Sequence, residues 1–275
     1  MGKKKGRRKR KALPKGWRAS PQQVEVWLDK TEQQLMGERY KRAVQTARQV
    51  LRHVPENSRP GGEALRLLGN ALAMLQDFEG SYEALSRALE VRPEDANTWY
   101  NRALSCQFTT RTGQAVRDME RAIELEGNPR SRRIYKEALT STQKIVDKQI
   151  ALRGPGFTLD QLIEEQSRFQ HGIKLMQAEK WAEAEAVFRG VIEMGAVPPQ
   201  PWANLAGSLI MQERYDEAEE ALRRALEIEP GYELARQNLL MMPYIREHGP
   251  SVMGKRIKAP FEGHEIKQSI TFMTD

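Results

Sequence analysis

Along most of the chain, large apolar, small and charged residues return in the same order at a fixed interval. Ala218, Ala225 and Pro230 follow Ala184, Val191 and Ala196 by 34 positions, Ala122 follows Ala88 by 34, and Trp99 follows Leu65 by 34. Pro93 follows Pro55 by 38, the extra four residues being assigned to a loop at Ser58-Arg59-Pro60-Gly61. A period of this length predicts stacked helical units, each a pair of antiparallel helices. The small residues let the two backbones of a pair approach closely, and the bulky ones fill the space toward the next helix. Proline ends the second helix, because it lacks a donor and crowds the preceding turn. No unit buries its own apolar face, so stability has to come from stacking.

Numbered from 1 to 34, the units show their order most clearly in 199–232: Trp202 at slot 4, Leu205 at 7, Ala206 at 8, Leu209 at 11, Tyr215 at 17, Ala218 at 20, Leu222 at 24, Ala225 at 27 and Pro230 at 32. This arrangement resembles the tetratricopeptide repeat (TPR) family, and the same frame fits 24–57, 62–95, 96–129 and 165–198. The resemblance implies an all-α fold, an α-solenoid coiled as a right-handed superhelix. It also implies a non-enzymatic scaffold or adaptor, whose first helices meet a peptide or protein partner through slots 2, 5, 9, 12 and 13.

Boundaries follow from caps and breakers. Ser20-Pro21-Gln22-Gln23 reads as a helix start, so 1–19 is expected to be a disordered polybasic tail and 20–152 a first array. Asn128-Pro129 opens a long helix outside the repeat frame, ended by Arg153-Gly154-Pro155-Gly156. Thr158 and Gln161 form a capping box with a Phe157–Leu162 staple, so 153–157 is a turn and 158–247 a second array. The shortness of the turn favours a continuous, interrupted solenoid. A closing helix after 232 is expected to stop at Pro243, and 248–275 to be irregular. Two departures stand out. Lys30, Thr31 and Gln34 replace apolar or small residues in the first unit, suggesting a terminal repeat with a solvated flank. His171 takes an aliphatic slot and reads as a half-buried, satisfied histidine.

Charge changes the picture at one end. The sequence has 44 Lys and Arg against 37 Asp and Glu, but ten of those bases and no acid fall in residues 1–18. The body is therefore mildly acidic. Lys3, Lys4, Lys5, Arg7, Arg8, Lys9, Arg10 and Lys11 have no interleaved aromatics, so they read as a polycation for phosphate or another anionic surface. They fit equally a solubilising tail, or a nuclear import signal if the source is eukaryotic. No apolar stretch follows them as in a secretory signal, and no run approaches the ~20 apolar residues of a membrane span. Cys106 is the only cysteine, which favours a reducing, cytoplasmic setting. His53, His171, His248 and His264 lack ligand spacing, so no metal or cofactor is expected. Phosphate loops, HExxH motifs and Ser-His-acid arrangements are missing too, which points away from an enzyme.

Two candidate binding surfaces remain. The first array is similar to carboxylate-clamp TPR modules at Arg66, Asn70 and Asn101, joined by Arg132 and Lys136 if one residue is inserted near Gly127. Such a set would hold a terminal carboxylate. The second array carries Phe169, Ile173, Met176, Ile210 and Met211, with Leu234, at outward slots. They would form an apolar groove for an amphipathic segment, or be covered by the chain's own Ile266, Ile270, Phe272 and Met273. The alternative function is a nucleic-acid- or ribosome-associated factor, anchored through the basic tail while the repeats recruit a protein.

Overall fold

A computed structural model describes residues 14–195 and 198–253. Among them there are twelve α-helices and no strand: α1 (Pro21–Met36), α2 (Tyr40–Leu51), α3 (Arg59–Met74), α4 (Phe78–Val91), α5 (Ala96–Phe108), α6 (Thr112–Leu125), α7 (Pro129–Leu152), α8 (Leu159–Gln177), α9 (Trp181–Glu193), α10 (Gln200–Ile210), α11 (Tyr215–Ile228) and α12 (Glu233–His248). The fold is the expected all-α solenoid class. The chain divides into two compact units. One runs through Cys106 and takes up Asp118–Lys136; the other holds Gln107–Arg117 and continues from Glu137.

Several helices begin where short polar side chains can occupy orphan N–H groups, whereas α2, α9, α10, α11 and α12 have no side-chain cap. Ser20 Oγ accepts from the Gln23 N–H and Asp77 Oδ1 from Gly80. Asp95 Oδ1 accepts from Thr98, and Asn128 Oδ1 from Arg130. Thr158 and Gln161 form the reciprocal capping box, and Phe157 packs on the small core around Leu162. The long helix α7 ends just before two glycines in the left-handed region, Gly154 and Gly156 (φ +94° and +87°).

The repeat frame is visible in burial. Ala43, Ser81, Ala115, Ala184 and Ala218, one per unit at slot 20, are all 0% exposed. Leu85, Met119, Phe188 and Leu222 at slot 24 are equally buried. At slot 8 the approach is so close that a Cβ on Gly172 would sit 2.7 Å from the Phe188 ring. A further regularity was not anticipated. The turn inside each of the five helix pairs places one non-glycine residue at positive φ: Glu38, Gln76, Thr110, Glu179 and Glu213, always at slot 15. In at least four of these turns the next residue's N–H reaches back to the helix, as Arg39 does to the Gln34 carbonyl and Arg214 to that of Leu209.

Several expectations need correction. Ser58–Gly61 is not a loop. Ser58 Oγ accepts from the Gly61 N–H, and α3 starts at Arg59. A Cβ on Gly61 would lie 2.3 Å from the Pro55 carbonyl oxygen, so only glycine permits this entry. The ordered body begins before residue 20, because Trp17 and Ala19 pack on Val24, Val50 and Val54, and the Arg18 N–H donates to the His53 carbonyl at 2.8 Å. Thr31 and Gln34 are buried rather than solvated: Thr31 Oγ1 donates to the Trp27 carbonyl, and Thr46 Oγ1 donates to Gln34 Oε1. His171 is exposed. Finally, α12 runs through Pro243 to His248. Proline removes one donor from the ladder, but the last turn is held down by Ile245, fully buried, and by Arg246, bonded to Asp216 and Glu219.

Candidate functional site

The first unit's leading helices, α1 and α3, leave a cleft of about 350 Å³ between them and the segment at Trp17. Its apolar lining comprises Trp17, Pro21, Val24, Leu28, Pro60 and Leu67, of which Val24 and Leu67 are buried. Its rim is acidic: Glu25, Asp29 and Glu32 from α1, and Glu63 from α3. These residues reach one face because α1 repeats them at i, i+4 and i+7. Their slots, 2, 6 and 9, follow from the first-unit frame.

The four acids are not equivalent. Glu63 accepts from Arg66 Nη2 at 2.6 Å and also receives Arg92. Burial works to raise its pKa, but the two guanidinium groups outweigh that and hold the carboxyl below its ordinary value. Glu32 lies 4.0 Å from the same Arg66. Glu25 and Asp29 are exposed and have no ion-pair partner among the described residues. One turn apart on α1, they repel each other by a few tenths of a kcal/mol. The cleft therefore carries negative charge at Glu25 and Asp29 that no described residue pairs with.

The clamp residues occupy different surroundings. Arg66, Asn70 and Asn101 are all buried, and Asn101 Nδ2 donates to Asn70 Oδ1 at 3.1 Å. Arg66 already has its carboxylate in Glu63, so a partner's carboxylate would have to displace an internal bidentate ion pair. Arg132 is half-buried and donates to the Glu126 carbonyl, while Lys136 is exposed. Beside them Tyr100 and Tyr135 stack, with ring centroids 4.3 Å apart, and the Tyr135 hydroxyl donates to Asn97. Glu63 was missed by the sequence reading, although its i, i+3 spacing to Arg66 was a legible sign. Nothing in the chain pattern marked the Tyr100–Tyr135 stack.

In the second unit Phe169, Ile173, Met176 and Ile210 belong to the core. Phe169 meets Phe188 edge to face at 5.8 Å, and Leu234 packs against the same cluster. Only Met211 of the five groove candidates keeps part of its surface exposed. An open apolar groove is not what these side chains form, because neighbouring helices already consume their apolar area. Residues 3–11 and the apolar positions at 266–273 lie outside the described residues. No described helix is long and apolar enough to cross a membrane, and no described group of His, Cys, Asp or Glu could hold a metal ion.

Paired helices, small-residue contacts and a cleft between leading helices define a helical-repeat protein. Family models for the tetratricopeptide repeat match residues 37–96, 96–129 and 169–233, together more than half of the chain, and the chain belongs to the tetratricopeptide repeat family. Solved structures with similar helices include the yeast Sti1 TPR2AB domain in its pHSP90 complex, at 13% identity and TM-score 0.39, with 86% of this chain and 85% of that one covered. Yeast Tom70 is similar at 13% identity and TM-score 0.40, over 82% of this chain and 66% of that one. A thermophilic TPR protein of Thermus thermophilus is similar at 16% identity and TM-score 0.34, over 80% of this chain and 99% of that one. Family membership rests on the repeat models rather than on these likenesses. No curated protein matches the chain significantly.

Proposed function

We propose that the protein is a non-enzymatic scaffold that seats a segment of a protein partner in the cleft between α1 and α3. The observation that carries this reading is the pairing of an apolar lining with Glu25 and Asp29, two exposed carboxylates that have no internal counter-ion among the described residues. TPR folds mediate protein–protein interaction, and this cleft selects for a segment with basic and apolar side chains. A carboxylate-terminated segment is less suited to it, since the rim repels anions and Arg66 is neutralised by Glu63.

A photo-crosslinking amino acid at Asp29 is the direct test, with the same group at Arg224, an exposed residue of α11, as control. A discrete adduct formed from position 29 and absent from position 224 is expected in cells. Identical adduct patterns from the two positions would refute the assignment. The nucleic-acid alternative draws on residues 3–11 alone, because the described cleft would repel a phosphate backbone.

A further inference from the structure

We infer that the α1–α3 cleft is a docking site for the chain's own basic segment, residues 3–11. That segment has eight Lys and Arg in nine residues and no acid. The cleft presents the complementary charge at Glu25 and Asp29, with Glu32 one turn further along α1 and Trp17 in the apolar lining. Connectivity favours the encounter. Lys11 is six residues before Trp17, and an extended chain of that length reaches about 20 Å. Glu25 to Glu32 spans only about 10 Å along the helix axis. The tether is therefore long enough to lay several bases over the rim, and a short tether supplies a millimolar effective concentration. A basic side chain there also relieves the Glu25–Asp29 repulsion on α1.

This inference rests on the cleft being a peptide seat, as proposed above, and it adds that the seat is occupied in cis until a partner competes. Because the contacts are solvent-exposed ion pairs, they weaken with salt. The occupied state is thus a low-salt state, and the basic segment's availability to phosphate is set by the same equilibrium.

The test uses the full chain and limited trypsin digestion, with cleavage within 3–11 followed by intact mass. The synthetic peptide 1–13 at each salt concentration calibrates trypsin itself. In about 20 mM salt, cleavage of the chain is expected to be at least about 5-fold slower than in the triple variant Glu25→Gln/Asp29→Asn/Glu32→Gln. At about 0.5 M salt the two rates should converge. Glu63 is left intact so that Arg66 and Arg92 keep their partner, and circular dichroism checks that the variant is folded. Equal low-salt rates for the chain and the variant would overturn the inference. Protection that increases with protein concentration would also overturn it, placing the segment on a second copy. If protection is missing while position 29 still yields a partner adduct, cis docking fails and the proposed function survives.

Discussion

Arg153 and Glu165 close the turn between α7 and α8 inside the second unit, and both side chains are only 5% exposed. Arg153 Nε donates to Glu165 Oε2 at 2.6 Å and Nη2 to Oε1 at 2.5 Å, while Nη1 donates to the Gln149 carbonyl near the end of α7. The guanidinium also lies 5.5 Å from the Phe157 ring centroid. Truncating one partner leaves a desolvated charge behind, which costs about 3–5 kcal/mol. Removing both with apolar replacements of similar size removes that penalty together with the attraction, so the double change should be far milder. Arg153→Met, Glu165→Leu and the double variant form the required cycle. Chemical denaturation followed by helix signal reads each as a shift of midpoint, and slope is monitored because two units need not unfold together. The single variants should each lose about 3–5 kcal/mol. The double should lose less than either, with Arg153→Met worse than Glu165→Leu by about 1 kcal/mol for the lost carbonyl bond. Single variants within about 1 kcal/mol of wild type would refute the reasoning, as would a double variant whose cost equals the sum of the singles.

Two further outcomes are expected. Glu63 has its folded pKa held below the unfolded value, so its contribution is fully present above the ordinary glutamate pKa and is lost as pH falls through the folded one; the stability gap between wild type and Glu63→Gln should narrow from about pH 6 to about pH 3, and a constant gap would contradict it. Ile245→Ala should cost about 2–5 kcal/mol, because this residue beyond Pro243 is completely buried, whereas a helix ending at the proline would register almost nothing in a thermal melt.

Slots 20 and 24 could be read from the chain because the requirement behind them is local in sequence and identical in every unit. A small residue must face a neighbouring backbone, and solvent exclusion writes it as a period. The caps at Ser20, Asn128 and Thr158 were legible for a similar reason, each being a contact over two or three residues. What escaped depended on distant partners. Ile245 overrides Pro243 only because the second unit's core takes it in. Thr31 looked like a sign of wear but is a satisfied buried hydroxyl. Of the clamp residues, Asn101 Nδ2 donates to Asn70 Oδ1 and Arg66 directs its charge to Glu63, while the buried Asn70 Nδ2 has no hydrogen-bond partner among the described residues. Composition at groove slots cannot reveal whether such groups are already engaged. The second groove failed similarly, since slots 5, 9 and 12 of α8 are outward only if nothing packs across them.

The five left-handed residues at slot 15 bear on how the units can be compared with one another. A left-handed conformation disfavours a residue with a side chain by roughly 1–2 kcal/mol, and glycine would remove that cost at any of the five positions. Three of the five are Glu, yet Gln76 and Thr110 adopt the same conformation and none of the five is Gly. The backbone shape of this turn is common to all five units, whereas its residue is Glu in three, Gln in one and Thr in one. Slot 15 therefore offers a fixed point for superposing the five units by backbone shape, including the two in which Glu is replaced.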